Sequence, residues 1–227
     1  MSRPALTTLS PRGEVRAVAL IAHGGSESSV RPATLLDPAA LRMYPFLLDL
    51  HRAGRRRGLV TCQLRYRVRG YNDGDPVDDV EWALEEIARR HGEAPVCLLG
   101  HSMGARATLR AAAAAHVRGV VALAPWLPQG EPVEQLAGRT VVIAHGTRDR
   151  VTAPAASLAY ALRAVGKAEH LCRFEVRGSR HAMLDRAPAW HALARRAVLA
   201  CAGLIAVDGE LERAFALPPE AACRVPI

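Results

Sequence analysis

Short apolar runs recur along the chain, each ending at a Gly- or Pro-marked turn and followed by a longer segment with helical spacing. They fall at about residues 15–22, 59–66, 95–100, 117–124, 140–145 and 171–177, and are rich in Val, Leu and Ile. The runs are continuous rather than alternating, which predicts strands covered on both faces, as in a parallel sheet. Residues 37–58, 75–91, 103–115, 153–166 and 187–203 supply the helices between them. Asp37 and Pro38 read as an N-cap and a first-turn residue, and Pro45 is expected to kink or divide its helix. The segment from Asp75 carries acids early and Arg89, Arg90 and His91 late, matching the helix dipole.

Strand and helix alternate throughout, so the expected fold class is α/β, a doubly wound, mostly parallel sheet with right-handed crossovers. The expected organisation is one domain over 1–227 with its core at about 15–204. Residues 205–227, weakly periodic and with three prolines, read either as a loose tail or as a strap over the domain. There is no internal repeat, and Ala111 to Ala115 read as the continuation of a helix.

Composition narrows the function classes. Half of the 227 residues are hydrophobic and 23% are charged, which excludes a disordered chain. A formal charge of +8 raises the question of an anionic partner, but the basic residues are almost all Arg, with Lys167 the one lysine, and are scattered over many segments. Neither a nucleic-acid nor a membrane partner is expected from that pattern. Cys62, Cys97, Cys172, Cys201 and Cys223 form no C-x-x-C pair, and the first three lie in strand-like runs, so free thiols are expected. The chain shows no apolar segment of signal-peptide type before Pro11. A cytoplasmic location is the expectation.

The stretch VCLLGHSMGARATLR, residues 96–110, sets an apolar run against a tight corner and then a helix. A strand that turns at once into a helix strains the backbone, and Gly100 and Gly104 remove side chains that would collide across the corner. Ser102 is thereby presented at the strand's C-terminal end, beside free helix N–H groups. This is a G-x-S-x-G nucleophile elbow in its strand-helix context. Three further motifs fall at strand ends: HGG at 23–25, HGTRDRV at 145–151 and GSRHAML at 178–184.

On these four motifs, in the order nucleophile, acid, histidine, the chain resembles the α/β-hydrolase superfamily of serine hydrolases from about residue 15 to 204. The resemblance implies Ser102 as nucleophile, His181 as general base and then acid, and Asp149 as the carboxylate orienting it. It implies an oxyanion hole from the N–H of Met103 and of Gly25, with Ser26 as runner-up. Two positions depart from common patterns: the loop reads His-Gly-Gly-Ser, and Ala105 follows the elbow where many relatives have glycine. Glu131 is the next candidate acid, because some relatives supply the carboxylate from there. His116, His170 and His191 read as packing or solvated residues, His23 and His145 as loop braces, and His101 as pointing away from the site.

Only about a dozen residues separate the strand ending at Trp126 from the one starting at Thr140, which leaves no room for the helical cap many relatives insert there. Ser26, Tyr44, Tyr71, Trp126 and Met183 are candidate substrate-binding residues, Tyr44 and Trp126 equally readable as core. Arg65, Arg67 and Arg69 alternate and read as a solvated edge or as ion pairs with Asp73 or Asp75, ahead of a carboxylate site. No metal-ligand spacing and no dinucleotide fingerprint occurs, so neither metal nor cofactor is expected. The expected function is hydrolysis of a small acyl ester or thioester through an acyl-enzyme on Ser102. Acyl transfer or a biosynthetic thioesterase step with the same triad, and a binding protein without the chemistry, are the alternatives.

Overall fold

The computed structural model describes residues 3–227. In chain order the elements are β1 (Ala5–Leu9), β2 (Ala17–Ala22), α1 (Pro38–Gly54), β3 (Leu59–Arg65), α2 (Asp75–His91), β4 (Val96–His101) and α3 (Met103–Arg110). They continue with β5 (Val117–Leu123), β6 (Thr140–Gly146), α4 (Pro154–Ala164), β7 (His170–Val176), α5 (Ala187–Cys201), α6 (Gly209–Phe215), α7 (Pro219–Ala222) and β8 (Val225–Pro226). The eight strands form one sheet in the order β1-β3-β2-β4-β5-β6-β7-β8, parallel except for β1, which runs antiparallel to β3. This is the doubly wound α/β fold of the sequence reading.

The continuous apolar runs are explained by the two covered faces. Along β2, Val18, Leu20 and Ala22 face one core, shared with α2, α3 and α4, while Ala17, Ala19 and Ile21 face the other, shared with α1 and α5. Chain order reverses direction across β2, with β3 on one side and β4 on the other. A crevice opens at the carboxyl ends of strands at such a reversal, and ligands in open α/β sheets sit there. Ser102 directly follows β4 at that point.

Several local expectations change in three dimensions. The edge strand β1 lies outside the strand runs read from the sequence, because ALTTL is short and half-exposed. Helix α1 runs unbroken through Pro45, which is exposed, so the carbonyl it leaves without a helical donor lies on the solvent side. Asp37 caps no helix N–H with its side chain. It accepts instead from Thr34 N (2.9 Å) and Thr34 Oγ1 (3.1 Å) and pairs with Arg69. The alanine run does not prolong α3, which ends at Arg110 and passes into a 3₁₀ turn at Ala111–Ala113. There Arg139 donates to the carbonyls of Ala112 (2.8 Å), Ala113 (3.3 Å) and Ala114 (3.4 Å), satisfying groups a longer helix would have bonded itself.

The segment after residue 204 is a strap. Helices α6 and α7 bury Leu211, Ala214 and Ala222, and β8 adds a parallel edge to β7 through Phe174 and Glu175. The buried guanidinium of Arg173 donates to the carbonyl of Cys223 at 3.0 Å. No disulfide is formed, and four of the five cysteines are buried. No helix is long and apolar enough to cross a membrane among the described residues.

Removing residues 209–227 uncovers the Phe174 edge and deprives a buried cation of an acceptor, a loss of about 3 kcal/mol or more. The truncated chain is expected to melt about 10 °C below the full-length protein in a thermal unfolding scan; equal melting temperatures would mean that the strap contributes nothing.

Candidate active site

Ser102 occupies φ 55°, ψ −118°, a region that L residues rarely enter. The neighbours explain why the chain tolerates it. A Cβ on Gly100 would run into the Ala105 backbone, and one on Gly104 would run into the carbonyl oxygens of Ala22 and His23. Backbone hydrogen bonds then fix the corner: Ser102 N donates to Leu123 O at 3.0 Å, and Ser102 O accepts from Arg106 N and Trp126 N, each at 3.2 Å.

Ser102 Oγ lies 3.0 Å from His181 Nε2, and His181 Nδ1 lies 2.8 Å from Asp149 Oδ2. The three residues come from the β4–α3 corner, the loop after β6 and the loop after β7. Glu131, the rival acid, is not near the imidazole: it is buried against Arg106 (2.6 Å) and Arg110 (2.8 Å).

Asp149 has no exposed side-chain surface. Oδ1 accepts from the N–H groups of Val151 (2.8 Å) and Thr152 (3.0 Å), and Oδ2 contacts His181, His145 Nε2 (3.1 Å) and Thr152 Oγ1 (3.0 Å). Burial opposes the charge, yet the bonds from His145, His181, Thr152 and Val151 outweigh it and hold the carboxyl well below the usual carboxylate range. His145 in turn meets Ser157 Oγ through Nδ1 at 2.8 Å, and Arg173 Nε donates to the same hydroxyl at 3.0 Å. A polar chain therefore runs from Arg173 through Ser157 and His145 to Asp149.

The loop carrying His181 is tied down from several sides. Arg42 donates to Ala182 O at 2.7 Å, Trp190 Nε1 to Ser179 Oγ at 2.9 Å, and Met183 is buried in the core with Trp190. His101, read from the sequence as pointing away, packs its ring 4.8 Å from that of His181 and bonds the His181 carbonyl through Nε2 at 3.1 Å. That contact requires the proton on Nε2 and leaves the buried Nδ1 without a partner. Burial, with smaller effects from His181 and Arg42, pushes the His101 pKa down to about 3, so the ring is neutral.

The two oxyanion candidates also part company with the runner-up. Ser26 N is committed to Arg69 O at 2.9 Å, whereas the N–H groups of Gly25 and Met103 have no acceptor among the described residues. Gly25 lies against the Met103 thioether, which a Cβ would strike at 2.6 Å.

A cleft of about 660 Å³ contains Ser102 and His181, and is lined also by Gly24, Gly25, Pro38, Ala39 and Val151 among others. Of the substrate-binding candidates, Ser26 lines an adjoining depression that shares Gly24 and Gly25 with the cleft. The other four line neither. Tyr44 is 47% exposed on α1, and Met183 belongs to the core. Tyr71 and Trp126 meet edge to face at 5.5 Å, with Arg106 stacked 3.7 Å from the Tyr71 ring centroid, bracing the base of α3. Arg67 bonds Asp79 at 2.5 Å and pairs with Asp75 and Asp78, and Arg69 pairs with Asp37, so ion pairing describes both.

Sequence reasoning missed Thr152 and turned His101 away from the site, whereas His145, read as a loop brace, does brace the Asp149 loop through Asp149 Oδ2 and Thr152 O. Thr152 had a legible signal, standing three residues after Asp149 in a loop where a side-chain turn is expected. The ring position of His101 depends on a contact with the distant His181 loop and had none.

The sequence profile of the family described as serine aminopeptidase, S33, matches residues 13–141. That span contains the HGG loop and Ser102 but ends before Asp149 and His181. Among solved structures, the chain is similar to an alpha-beta serine hydrolase homologue from Coxiella burnetii, at 18% identity over 86% of this chain and 91% of that one, TM-score 0.65. It is also similar to a serine hydrolase without lid from Xanthomonas campestris (18%, 86% and 88%, TM-score 0.61). A thermophilic esterase from Thermogutta terrifontis matches at 17% identity over 91% and 90%, TM-score 0.64. Comparison with curated protein sequences returns no match.

Because His101 is held neutral when folded and titrates near 6.5 when unfolded, the unfolded chain binds the extra proton first. Stability is then fully present above about pH 6.5 and is lost as pH falls toward 3, by up to a few kcal/mol. Urea midpoints measured at pH 7 and pH 4 are expected to differ less for His101→Gln than for the wild type; equal differences would show that His101 does not sense acid.

Proposed function

This chain belongs to the serine aminopeptidase S33 family of α/β hydrolases, and on that premise we propose that it hydrolyses a carboxylic ester of a small acyl group through an acyl-enzyme on Ser102. The observation that carries the reading is the unbroken line of contacts from Ser102 Oγ to His181 (3.0 Å) and from His181 to Asp149 (2.8 Å). The Ser102 hydroxyl gives its proton to His181 Nε2 as Oγ attacks the ester carbon. Asp149, kept ionised by its donors, stabilises the imidazolium without taking the proton. The N–H groups of Gly25 and Met103 receive the oxyanion. His181 then protonates the departing alcohol, and water repeats the sequence to release the acid.

The missing cap supports hydrolysis over transfer. Between β5 and β6 the chain has only loop and a single 3₁₀ turn at Glu134–Leu136. Water therefore reaches the acyl-enzyme without a lid to exclude it, and the cleft suits short acyl groups better than lid-gated lipids. The esterase from Thermogutta terrifontis supports the same class of substrate by its fold alone.

A fluorophosphonate probe is expected to add once to the wild type and not to Ser102→Ala, as read by intact-mass spectrometry. With short p-nitrophenyl esters, Asp149→Asn is expected to lower kcat about 10³- to 10⁴-fold. Glu131→Gln is expected to keep turnover within about tenfold while melting about 5–10 °C lower, since it leaves Arg106 and Arg110 facing no anion. Near-normal activity in Asp149→Asn would overturn the assignment of the acid.

A further inference from the structure

The cleft around Ser102 is lined by four arginines that arrive from three separate segments: Arg42 on α1, Arg148 and Arg150 on either side of Asp149, and Arg180 beside His181. One carboxylate, Asp185, lines the same cleft, and Arg180 holds it through Nε at 3.0 Å and Nη2 at 3.1 Å. Arg42 spends one N–H on the neutral carbonyl of Ala182. The side chains of Arg148 and Arg150 are exposed and have no hydrogen bond or ion pair among the described residues. Asp149 does not offset them at the surface, because its carboxylate is fully buried and surrounded by donors.

The wall is thus polarised in two ways. Pro38, Ala39, Val151 and Leu184 provide apolar surface, the last two at 73% and 74% exposure. Arg148 and Arg150, with no counter-ion among the described residues, stand beside them. Guanidinium groups are weakly hydrated and bind carboxylate or phosphate oxygens in a planar fork, so an anion in this cleft has ready partners. A concave wall of one sign also concentrates ligands of the opposite sign.

We infer that the substrate is an anionic ester, with a carboxylate or phosphate a few atoms from the reacting carbonyl, held by Arg148 and Arg150 while its apolar part lies against Val151 and Leu184. The inference rests on the hydrolase reading for its chemistry, since an ester is needed at Ser102, but the recognition it describes is a matter of binding alone. Exposed positions carry both arginines, so replacing them leaves the core untouched.

The test measures binding in Ser102→Ala, which cannot turn the ligand over, by NMR shift titration. Monomethyl glutarate is compared with methyl valerate to place the charge on the acyl side. The anion 4-butyryloxybenzoate is compared with 4-butyryloxybenzamide to place it on the alcohol side. Two guanidiniums at several ångströms give an expected preference of about tenfold for the anion in at least one pair. That preference is expected to vanish when Arg148→Gln and Arg150→Gln are added. It is also expected to shrink as salt shortens the screening length from about 10 Å at 0.1 M to about 3 Å at 1 M. Equal binding within both pairs, or a preference that survives the double replacement, overturns the inference. Fluorophosphonate labelling of the wild type reports separately on the hydrolase reading, so each can fail while the other stands.

Discussion

A carboxylate with no exposed surface stays ionised only if the protein itself replaces the water it has lost. Asp149 is in that position, and most of the architecture of the candidate site follows from it. Two backbone N–H groups, a threonine hydroxyl and two imidazoles converge on its two oxygens. These donors hold the β6–α4 loop in one shape, and that shape fixes where His181 can sit. The imidazole in turn reaches Ser102 because the β7–α5 loop is pinned by Arg42, Trp190 and the buried Met183. The β6–α4 and β7–α5 loops are also joined directly, Arg148 N donating to Ser179 O at 3.0 Å and Gly178 N to Thr147 Oγ1 at 3.0 Å.

The strained serine shows the complementary constraint, imposed by sterics rather than charge. Its φ of 55° costs free energy that a loop alone would relax. It persists because two glycines let β4 and α3 approach within contact of the β2 carbonyls, and because bonds to Leu123, Arg106 and Trp126 close the corner. The cluster of Tyr71, Trp126, Arg106 and Glu131 beneath it acts as a base plate. Glu131 serves there as the counter-ion of two arginines, which is why a carboxylate near the right strand is not the partner of His181.

Charge in this protein has two distinct uses. Arg67, Arg69, Arg106, Arg110 and Arg173 are tied into carboxylates, carbonyls or hydroxyls and brace the fold. Arg148 and Arg150, at the mouth of the cleft, have no side-chain partner among the described residues. Scattered along the chain, the two groups look alike. The distinction is a matter of which acids each arginine meets after folding.

The amino-acid sequence by itself determined the strand and helix alternation, because continuous apolar runs and capped helical segments are local patterns with few alternative readings. It likewise placed the serine corner, since two glycines around a serine at a strand end answer a local steric need, and it placed the absence of a cap, which is a matter of chain length. Only the tertiary structure decided what depends on distant segments meeting: that Asp149 and not Glu131 faces His181, that His101 packs against His181, and that the last residues form a strap. The antiparallel edge β1 belongs to the same class, because an edge strand is defined by its partner and carries little signal of its own. Long-range contacts of this kind depend on strand order, and strand order is set by how the two faces of the sheet are covered, which no single stretch of sequence records.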